Sequence, residues 1–253
     1  MAVPHLRGGW PGRLPHSVLQ HLRRLQGRHS THPRQKVGGP LLQAVIFDMD
    51  GVLCDSEPLY LEAINVVLAT RGLRLSEEEN REILGTTAEE TWRWLKERFR
   101  LPGSVAEWLR RYDAAVISTL RGRVTPTPGL LALLPRLKAR GLKMAVASSS
   151  ELAWVHAILD TLRVREYFSA IVSAGDVAHG KPAPDVYLLA ARKLGVPPGA
   201  CLVFEDSPVG LEAAKAAGMR AVAILTPYTR GMDLSQADST LGSFLEFDEK
   251  LLD

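Results

Sequence analysis

Two carboxylates, Asp48 and Asp50, stand two residues apart at the end of an apolar run, 44–47, and Gly51 follows them directly. Where glycine lets the chain turn sharply, that spacing crowds both side chains into one small space, and they repel unless something positive lies between them. A divalent cation, with the phosphate that accompanies one, would satisfy the pair. An acidic turn closing a strand is the other reading, and these residues alone do not choose between them. Three other places bear on the choice. Ser148, Ser149 and Ser150 follow the run 143–147, Lys181 stands in the stretch GKPAPD, and Glu205 and Asp206 follow the run 201–204. Ser148 and Lys181 can hold phosphate oxygens, while Asp48, Asp50 and Asp206 offer the hard oxygen ligands that Mg2+ prefers.

The runs that deliver these residues are short, apolar and partly β-branched, as strands buried on both faces of a parallel sheet are. Helical patterns alternate with them. Pro128 opens a helix that stops at Gly141, and a second carries Leu152, Val155, Leu159 and Leu162. A third spans 184–194 up to Gly195, and a fourth spans 207–217 up to Gly218. With strands at 44–47, 143–147, 170–173, 201–204 and 221–225, the pattern predicts an α/β fold. Its Rossmann-like core has at least five parallel strands, and ligands bind beyond their carboxyl ends. All the residues named above fall at those ends. Residues 226–253 read as irregular, with 241–252 as a candidate last helix.

Between the first and second strands the pattern is helical without interruption. Ser56 is placed to cap a helix with Pro58 in its first turn, and Tyr60, Ile64, Val67 and Leu68 line one face up to Gly72. Thr87 with Glu90, and Ser104 with Glu107, have capping-box spacing and precede Trp92, Leu95 and Phe99 in one case, Leu109, Tyr112 and Val116 in the other. The predicted organisation is therefore a core of 41–58 and 124–253 with a helical cap, 59–123, inserted into it. The cap aromatics fall at helical spacing and read as its interior.

Composition narrows the rest. The 253 residues, 46% hydrophobic, suffice for a sizeable core, and no apolar run approaches the length of a membrane span. Arg7, Arg13, Arg23, Arg24, Arg28, Arg34 and Lys36 have no acid among them in residues 1–40, so the net charge of +3 turns negative beyond that stretch. This basic extension also holds His5, His16, His21, His29 and His32, at spacings that match no closed metal site, and is expected to be disordered. It is similar in composition to an organelle transit peptide but has no second feature in support. Only Trp10 accompanies its basic residues, which argues against nucleic acid as a partner. Cys54 and Cys201 lie in unrelated contexts and form no disulfide framework, so a reducing cytoplasm is the expected compartment.

The fragments FDMDGV, AVASSS, GKPAPD and FEDSPVGLEAAKAAG, in that order, closely resemble the four motifs of the haloacid dehalogenase-like hydrolases. The likeness is to the subgroup with a helical cap after the first motif, as in β-phosphoglucomutase and phosphoglycolate phosphatase, and it covers residues 44–225. It implies a Mg2+-dependent phosphatase of a small phosphorylated metabolite, a sugar phosphate or a phosphoglycolate-like ester, working through an aspartyl phosphate. Asp48 would be the nucleophile and Asp50 the general acid and base. Lys181 and Ser148 would steady the phosphoryl group, and Asp48, the backbone carbonyl of Asp50 and Asp206 would hold the metal, with Glu205 an occasional or supporting ligand. A monomer or weak homodimer is expected, with no membrane partner.

Other branches fit less well. Dehalogenases of this superfamily need no metal and lack an acid at the position of Asp50. Phosphonate hydrolysis would use a cap lysine, and Lys96 sits among surface charges. The nearest rival is a phosphomutase, but Ala88 in LGTTAEE occupies the position of the mutases' arginine for a second phosphate, and Tyr60 that of their histidine. A catalytically inactive binding module is a third alternative, against which every expected catalytic side chain is present. His179 and Cys54 lie near the motifs and read as a solvated loop residue and a space-filling thiol, and Thr86 and Thr87 could reach substrate from the cap.

Because residues 1–40 lack a periodic apolar face, their removal is expected to leave melting temperature and phosphatase rate unchanged. A lower melting temperature or rate in the shortened chain would mean that the extension docks on the domain.

Overall fold

A computed structural model of the chain describes residues 41–83 and 86–252. The extension expected to be disordered and the Gly85 of the cap stretch lie outside the described residues. Strand β1 (Ala44–Phe47) leads into helices α1 (Glu57–Ala69), α2 (Glu77–Asn80), α3 (Ala88–Arg98), α4 (Val105–Leu120) and α5 (Leu130–Ala139). There follow β2 (Lys143–Ala147), α6 (Leu152–Leu162), β3 (Ala170–Val172), α7 (Asp185–Leu194), β4 (Cys201–Glu205), α8 (Pro208–Ala216), β5 (Arg220–Ile224) and β6 (Ser239–Leu241). The strands form one six-stranded sheet in the order β3-β2-β1-β4-β5-β6, with every neighbouring pair parallel. This is the Rossmann-like arrangement, and its order reverses direction between β1 and β4, where the strand ends leave a crevice.

Side chains alternate across each strand and so divide the core in two. Val45, Phe47, Met144, Val146, Leu202, Phe204, Val222 and Ile224 face the layer of α5 and α6, whereas Ala44, Ile46, Ala145, Ala147, Val203, Ala221 and Ala223 face α7 and α8. The second face is mostly alanine, so its helices can approach closely. The first is aromatic. Phe47 and Phe204, opposite each other on the central strands, stack at 5.3 Å between centroids, and Phe168 and Phe244 close on Phe47 at 5.9 and 6.0 Å. Phe47 and Phe204 immediately precede Asp48 and Glu205, so this stack supports the floor of the crevice.

The inserted helices have their own interior, in which Trp92 stacks on Trp108 at 5.7 Å with Tyr112 alongside. The capping boxes at Thr87/Glu90 and Ser104/Glu107 are both formed, and a further one, Ser76/Glu79, starts α2. Outgoing and returning chains run side by side at the base of this layer. Cys54 bridges both Asp50 and Pro126, and the Thr127 amide donates to the Leu53 carbonyl at 2.9 Å.

Three local expectations are corrected. The stretch 226–253, expected to be irregular, adds β6 to the sheet, a strand of three residues with Leu241 alone buried, too brief to show a period. The candidate helix at 241–252 is instead two 3-10 turns, Phe244–Glu246 and Glu249–Leu252, which hold Phe244 and Phe247 over the sheet. Ser56 does not cap α1 with its side chain, because its hydroxyl donates to Asp50 instead.

Phe47→Ala removes the ring at the centre of the aromatic cluster and should destabilise the chain by about 3–5 kcal/mol. Urea unfolding would check this, and a loss below about 1 kcal/mol would show that the cluster collapses to refill the space.

Candidate active site

The crevice between β1 and β4 is built around a buried ammonium. Lys181 comes in from the loop before α7 and places Nζ 2.5 Å from Asp48 Oδ1 and 2.5 Å from Glu205 Oε1. Its cation also lies 5.1 Å from the centre of the Tyr187 ring. Glu205 is fully buried, and each of its oxygens is shared among donors. Oε1 accepts from Lys181 and from the Tyr187 hydroxyl at 2.7 Å. Oε2 accepts from the Asp206 and Ser207 amides at 2.9 and 3.0 Å and from the Ser207 hydroxyl at 3.0 Å. Space for this carboxylate exists because residue 210 is glycine: a Cβ there would stand 1.8 Å from Oε1.

The carboxyls outnumber the cation, and in this buried setting they compete for its charge. Burial alone would raise Glu205, yet Lys181 and the hydrogen bonds hold it below the usual carboxylate range. The two acids keep Lys181 charged, well above the ordinary lysine value, although burial works against the ammonium. Burial pushes Asp48 up to about 8 against the pull of Lys181, and Glu205 and Asp50 add to the rise. Asp206 is driven well above its ordinary value by burial and then by Glu205 and Asp48. One ammonium therefore offsets one ionised carboxylate, and a second positive charge would favour the ionised forms of Asp48 and Asp206 as well.

Oxygens of Asp48, Glu205 and Asp206 lie within 4.8 Å of one another, a hard donor set that suits a small divalent cation. Because both Glu205 oxygens are already occupied, Asp48 and Asp206 are the better donors. The Asp206 carboxylate lies against Gly51, where a Cβ would stand 2.1 Å from Oδ2 and where φ is +75°. Glycine at 51 is thus required by the turn and by the neighbouring Asp206 carboxylate.

Asp50 has a different setting. Its Oδ1 accepts from the Ser56 hydroxyl at 2.5 Å and the Tyr60 hydroxyl at 2.8 Å, and its Oδ2 from Ser150 at 2.8 Å. With its carboxylate engaged by three hydroxyls, Asp50 has its backbone carbonyl to offer a metal. Ser148, 1% exposed, accepts the Ser150 amide at 3.0 Å through its hydroxyl oxygen.

The structure thus brings together Asp48, Asp50, Ser148, Ser150, Lys181, Glu205 and Asp206 at the strand ends, whereas Ser149, beside them in the sequence, is exposed. Tyr187 and Ser207 were not read from the sequence as parts of the site. Tyr187 sits on the apolar face of α7, where periodicity marks it as core, and only its hydroxyl reaches Glu205. Ser207 carried a legible signal, a hydroxyl residue followed by Pro208 at a helix start, but that signal identifies a cap and not an anchor for Glu205. His179 is exposed and pairs with Asp185 at 3.1 Å. Cys54 is buried, and burial together with Asp50 raises its thiol well above the ordinary value, which suits a space-filling side chain. Thr87 is engaged as the cap of α3, and Thr86 donates to the Ile83 carbonyl at 2.7 Å.

Residues 42–218 match the family described as haloacid dehalogenase-like hydrolase. Protein CbbY of Rhodobacter capsulatus is 40% identical over 209 residues, covering 78% of this chain and 91% of that protein. Fructose-1-phosphate phosphatase YqaB of Escherichia coli is 39% identical over 184 residues, 70% of this chain and 94% of that protein. The crystal structure of CbbY from Rhodobacter sphaeroides in complex with phosphate superposes with a TM-score of 0.74 at 34% identity, covering 81% of this chain and 96% of that one.

Gly210→Ala tests the ammonium anchor by displacing Glu205 without replacing any charged residue. Alanine is the better helix former, so any loss comes from the displaced Glu205 and not from α8. Turnover of p-nitrophenyl phosphate should fall by about 10²-fold, and stability by about 1–3 kcal/mol. Unchanged turnover would show that Lys181 keeps its place without Glu205.

Proposed function

Since the chain belongs to the haloacid dehalogenase-like hydrolases, we propose that it is a phosphoric monoester hydrolase of a small sugar phosphate, with Asp48 as nucleophile and Asp50 as the proton-transfer group. The observation that carries this reading is the division between the two acids. Asp48 is held by an ammonium at the bottom of the crevice, while the carboxylate of Asp50, two residues on, is hydrogen-bonded by hydroxyls alone among the described residues.

An oxygen of Asp48 attacks phosphorus, and the bond to the leaving oxygen breaks, which leaves an aspartyl phosphate. Asp50 gives its proton to the departing oxygen and then takes one from the water that hydrolyses the acyl phosphate. Lys181 and the Ser148 hydroxyl hold the non-bridging oxygens and offset their charge as the nucleophile approaches. A Mg2+ ion held by Asp48, Asp206 and the Asp50 backbone carbonyl would supply the second positive charge that the carboxyls require and would polarise the phosphoryl group. Glu205 acts through Lys181, fixing the ammonium where Asp48 and phosphate meet. The same reading favours hydrolysis over transfer to a second substrate hydroxyl. It also extends to a monomeric or weakly dimeric cytoplasmic enzyme with no nucleic-acid or membrane partner. Two free, buried cysteines accord with a reducing compartment, and no helix among the described residues is long and apolar enough to cross a membrane.

Cleavage of p-nitrophenyl phosphate should stop on addition of EDTA and return with Mg2+. Activity that persists in EDTA would rule out the metal assignment. Asp48→Asn should abolish turnover and any phosphoenzyme, because a neutral amide is a poor nucleophile towards phosphorus.

Asp50→Asn should separate the two proton transfers. p-Nitrophenolate leaves without a proton, so a burst of phosphoenzyme should survive with that ester and be lost with a sugar phosphate, while hydrolysis of the intermediate is slow in both cases. Equal loss of the first step with both esters would remove Asp50 from the acid role.

A further inference from the structure

The three hydroxyls around Asp50 grip its two oxygens unequally. Ser56 and Tyr60 both donate to Oδ1, at 2.5 and 2.8 Å, whereas among the described residues Ser150 alone donates to Oδ2, at 2.8 Å. A carboxylate oxygen offers about two lone-pair sites. Both sites of Oδ1 are taken, and Oδ2 has one to spare.

The unequal grip has a cause in the chain. Ser56 and Tyr60 are four residues apart across the start of α1, and the Tyr60 amide donates to the Ser56 carbonyl at 3.1 Å, so helical geometry sets both hydroxyls on one face. Ser56 is fully buried. Tyr60 is held by its ring, which lies 5.6 Å from that of Trp154, and Tyr112 of α4 packs edge-on against Trp154 at 5.4 Å. Trp154 belongs to the first turn of α6, four residues after Ser150. The short stretch 150–154 therefore supplies the donor to Oδ2 and also the wall behind one donor to Oδ1. Ser150 is itself fixed, since its amide donates to Ser148 Oγ at 3.0 Å and its carbonyl accepts the Ala174 amide at 3.1 Å. Oδ2 is thus turned toward the loop of Ser148, on the phosphoryl side, and Oδ1 toward the root of the inserted helices.

A group that exchanges protons needs one oxygen open to the reacting atoms and a carboxylate that does not turn away from them. A proton arriving at Oδ1 would have to displace a hydroxyl; one arriving at Oδ2 displaces nothing. We propose that Tyr60, together with Ser56, is a positioning residue for proton transfer: the two hydroxyls saturate Oδ1 and so make Oδ2 the oxygen through which Asp50 gives and takes its proton. In the first step the bond between Oδ2 and its proton breaks, and the proton passes to the departing oxygen, which keeps the electron pair of the broken P–O bond. In the second, Oδ2 takes a proton from the attacking water, and the carboxyl is restored. The hydrogen bonds to Oδ1 persist through both. The inference rests on the phosphatase reading above and adds to it which oxygen of Asp50 acts and which residues of the inserted layer aim it.

The test uses the full chain with Mg2+ and two aryl esters, p-nitrophenyl phosphate and phenyl phosphate, which differ by one nitro group and hence in how far the departing oxygen needs a proton. The readout is kcat/KM, which covers the steps up to loss of the phenol and leaves out hydrolysis of the intermediate. Tyr60→Phe removes a hydroxyl and keeps the ring on Trp154. It should lower kcat/KM for phenyl phosphate by about ten-fold and for the nitrophenyl ester by less than about three-fold. Ser56→Ala opens the other site on the same oxygen and should show the same selectivity. Ser150→Ala leaves Oδ1 full, so its loss on phenyl phosphate should be smaller than either. The ratio of the two esters is read within one preparation, so a misfolded fraction lowers both values alike and leaves the ratio as it was. Equal losses on both esters in Tyr60→Phe and Ser56→Ala would reduce the two residues to structural roles. A phenyl-selective loss larger in Ser150→Ala than in Tyr60→Phe would overturn the assignment of the oxygens. Failure of the unaltered enzyme to cleave either ester would instead remove the phosphatase reading, and the proposal with it.

Discussion

The buried ammonium of Lys181, shared between Asp48 and Glu205, is the constraint around which the crevice is organised. A charge taken out of water is costly unless it is closely paired and its partners are themselves satisfied. Glu205 meets that condition through Tyr187, Ser207 and two backbone amides at the start of α8. The absence of a side chain at Gly210 lets the carboxylate sit there. The ammonium is thereby pinned at the level of the strand ends, and Asp48 is presented at a defined distance from it. The remaining acids are then left short of positive charge, which is the electrostatic case for a divalent cation beside Asp206.

Two acids separated by one residue end up in unlike surroundings for a geometric reason. Asp48 continues the line of β1 and stays at the floor, with its amide bonded to the Phe204 carbonyl. Asp50 lies past the point where the chain begins to turn, and its side chain meets hydroxyls from Ser56 and Tyr60 on the way into the inserted helices and from Ser150 after β2. The short turn at Gly51 thus sets a carboxylate beside a cation and a carboxylate among hydroxyls within three residues, the surroundings that the roles proposed for Asp48 and Asp50 call for.

The inserted helices join the core through chain crossings that lie side by side at Cys54 and Pro126, so the layer carrying Tyr60 is attached close to Asp50. The two layers meet at one carboxylate, that of Asp50, which accepts from Tyr60 of the inserted helices and from Ser150 after β2.

Much of this was legible in the residue order. Alternating apolar runs and helical stretches predicted the parallel sheet, and Asp48, Ser148, Lys181, Glu205 and Asp206 could be placed at its strand ends, because strand and helix periods are local properties of the chain. Capping boxes such as Thr87/Glu90 were legible for the same reason. What the tertiary structure decided is which group each side chain serves. Ser56 has the type and place of a helix cap, yet its hydroxyl serves Asp50. Tyr187 has the spacing of a core residue, yet its hydroxyl anchors Glu205 from 18 positions away. Lys181 reaches Asp48 across 133 positions. A period tells which face of an element is buried. The partner that a polar atom finds on that face depends on how separate elements are brought together, and no local pattern records it.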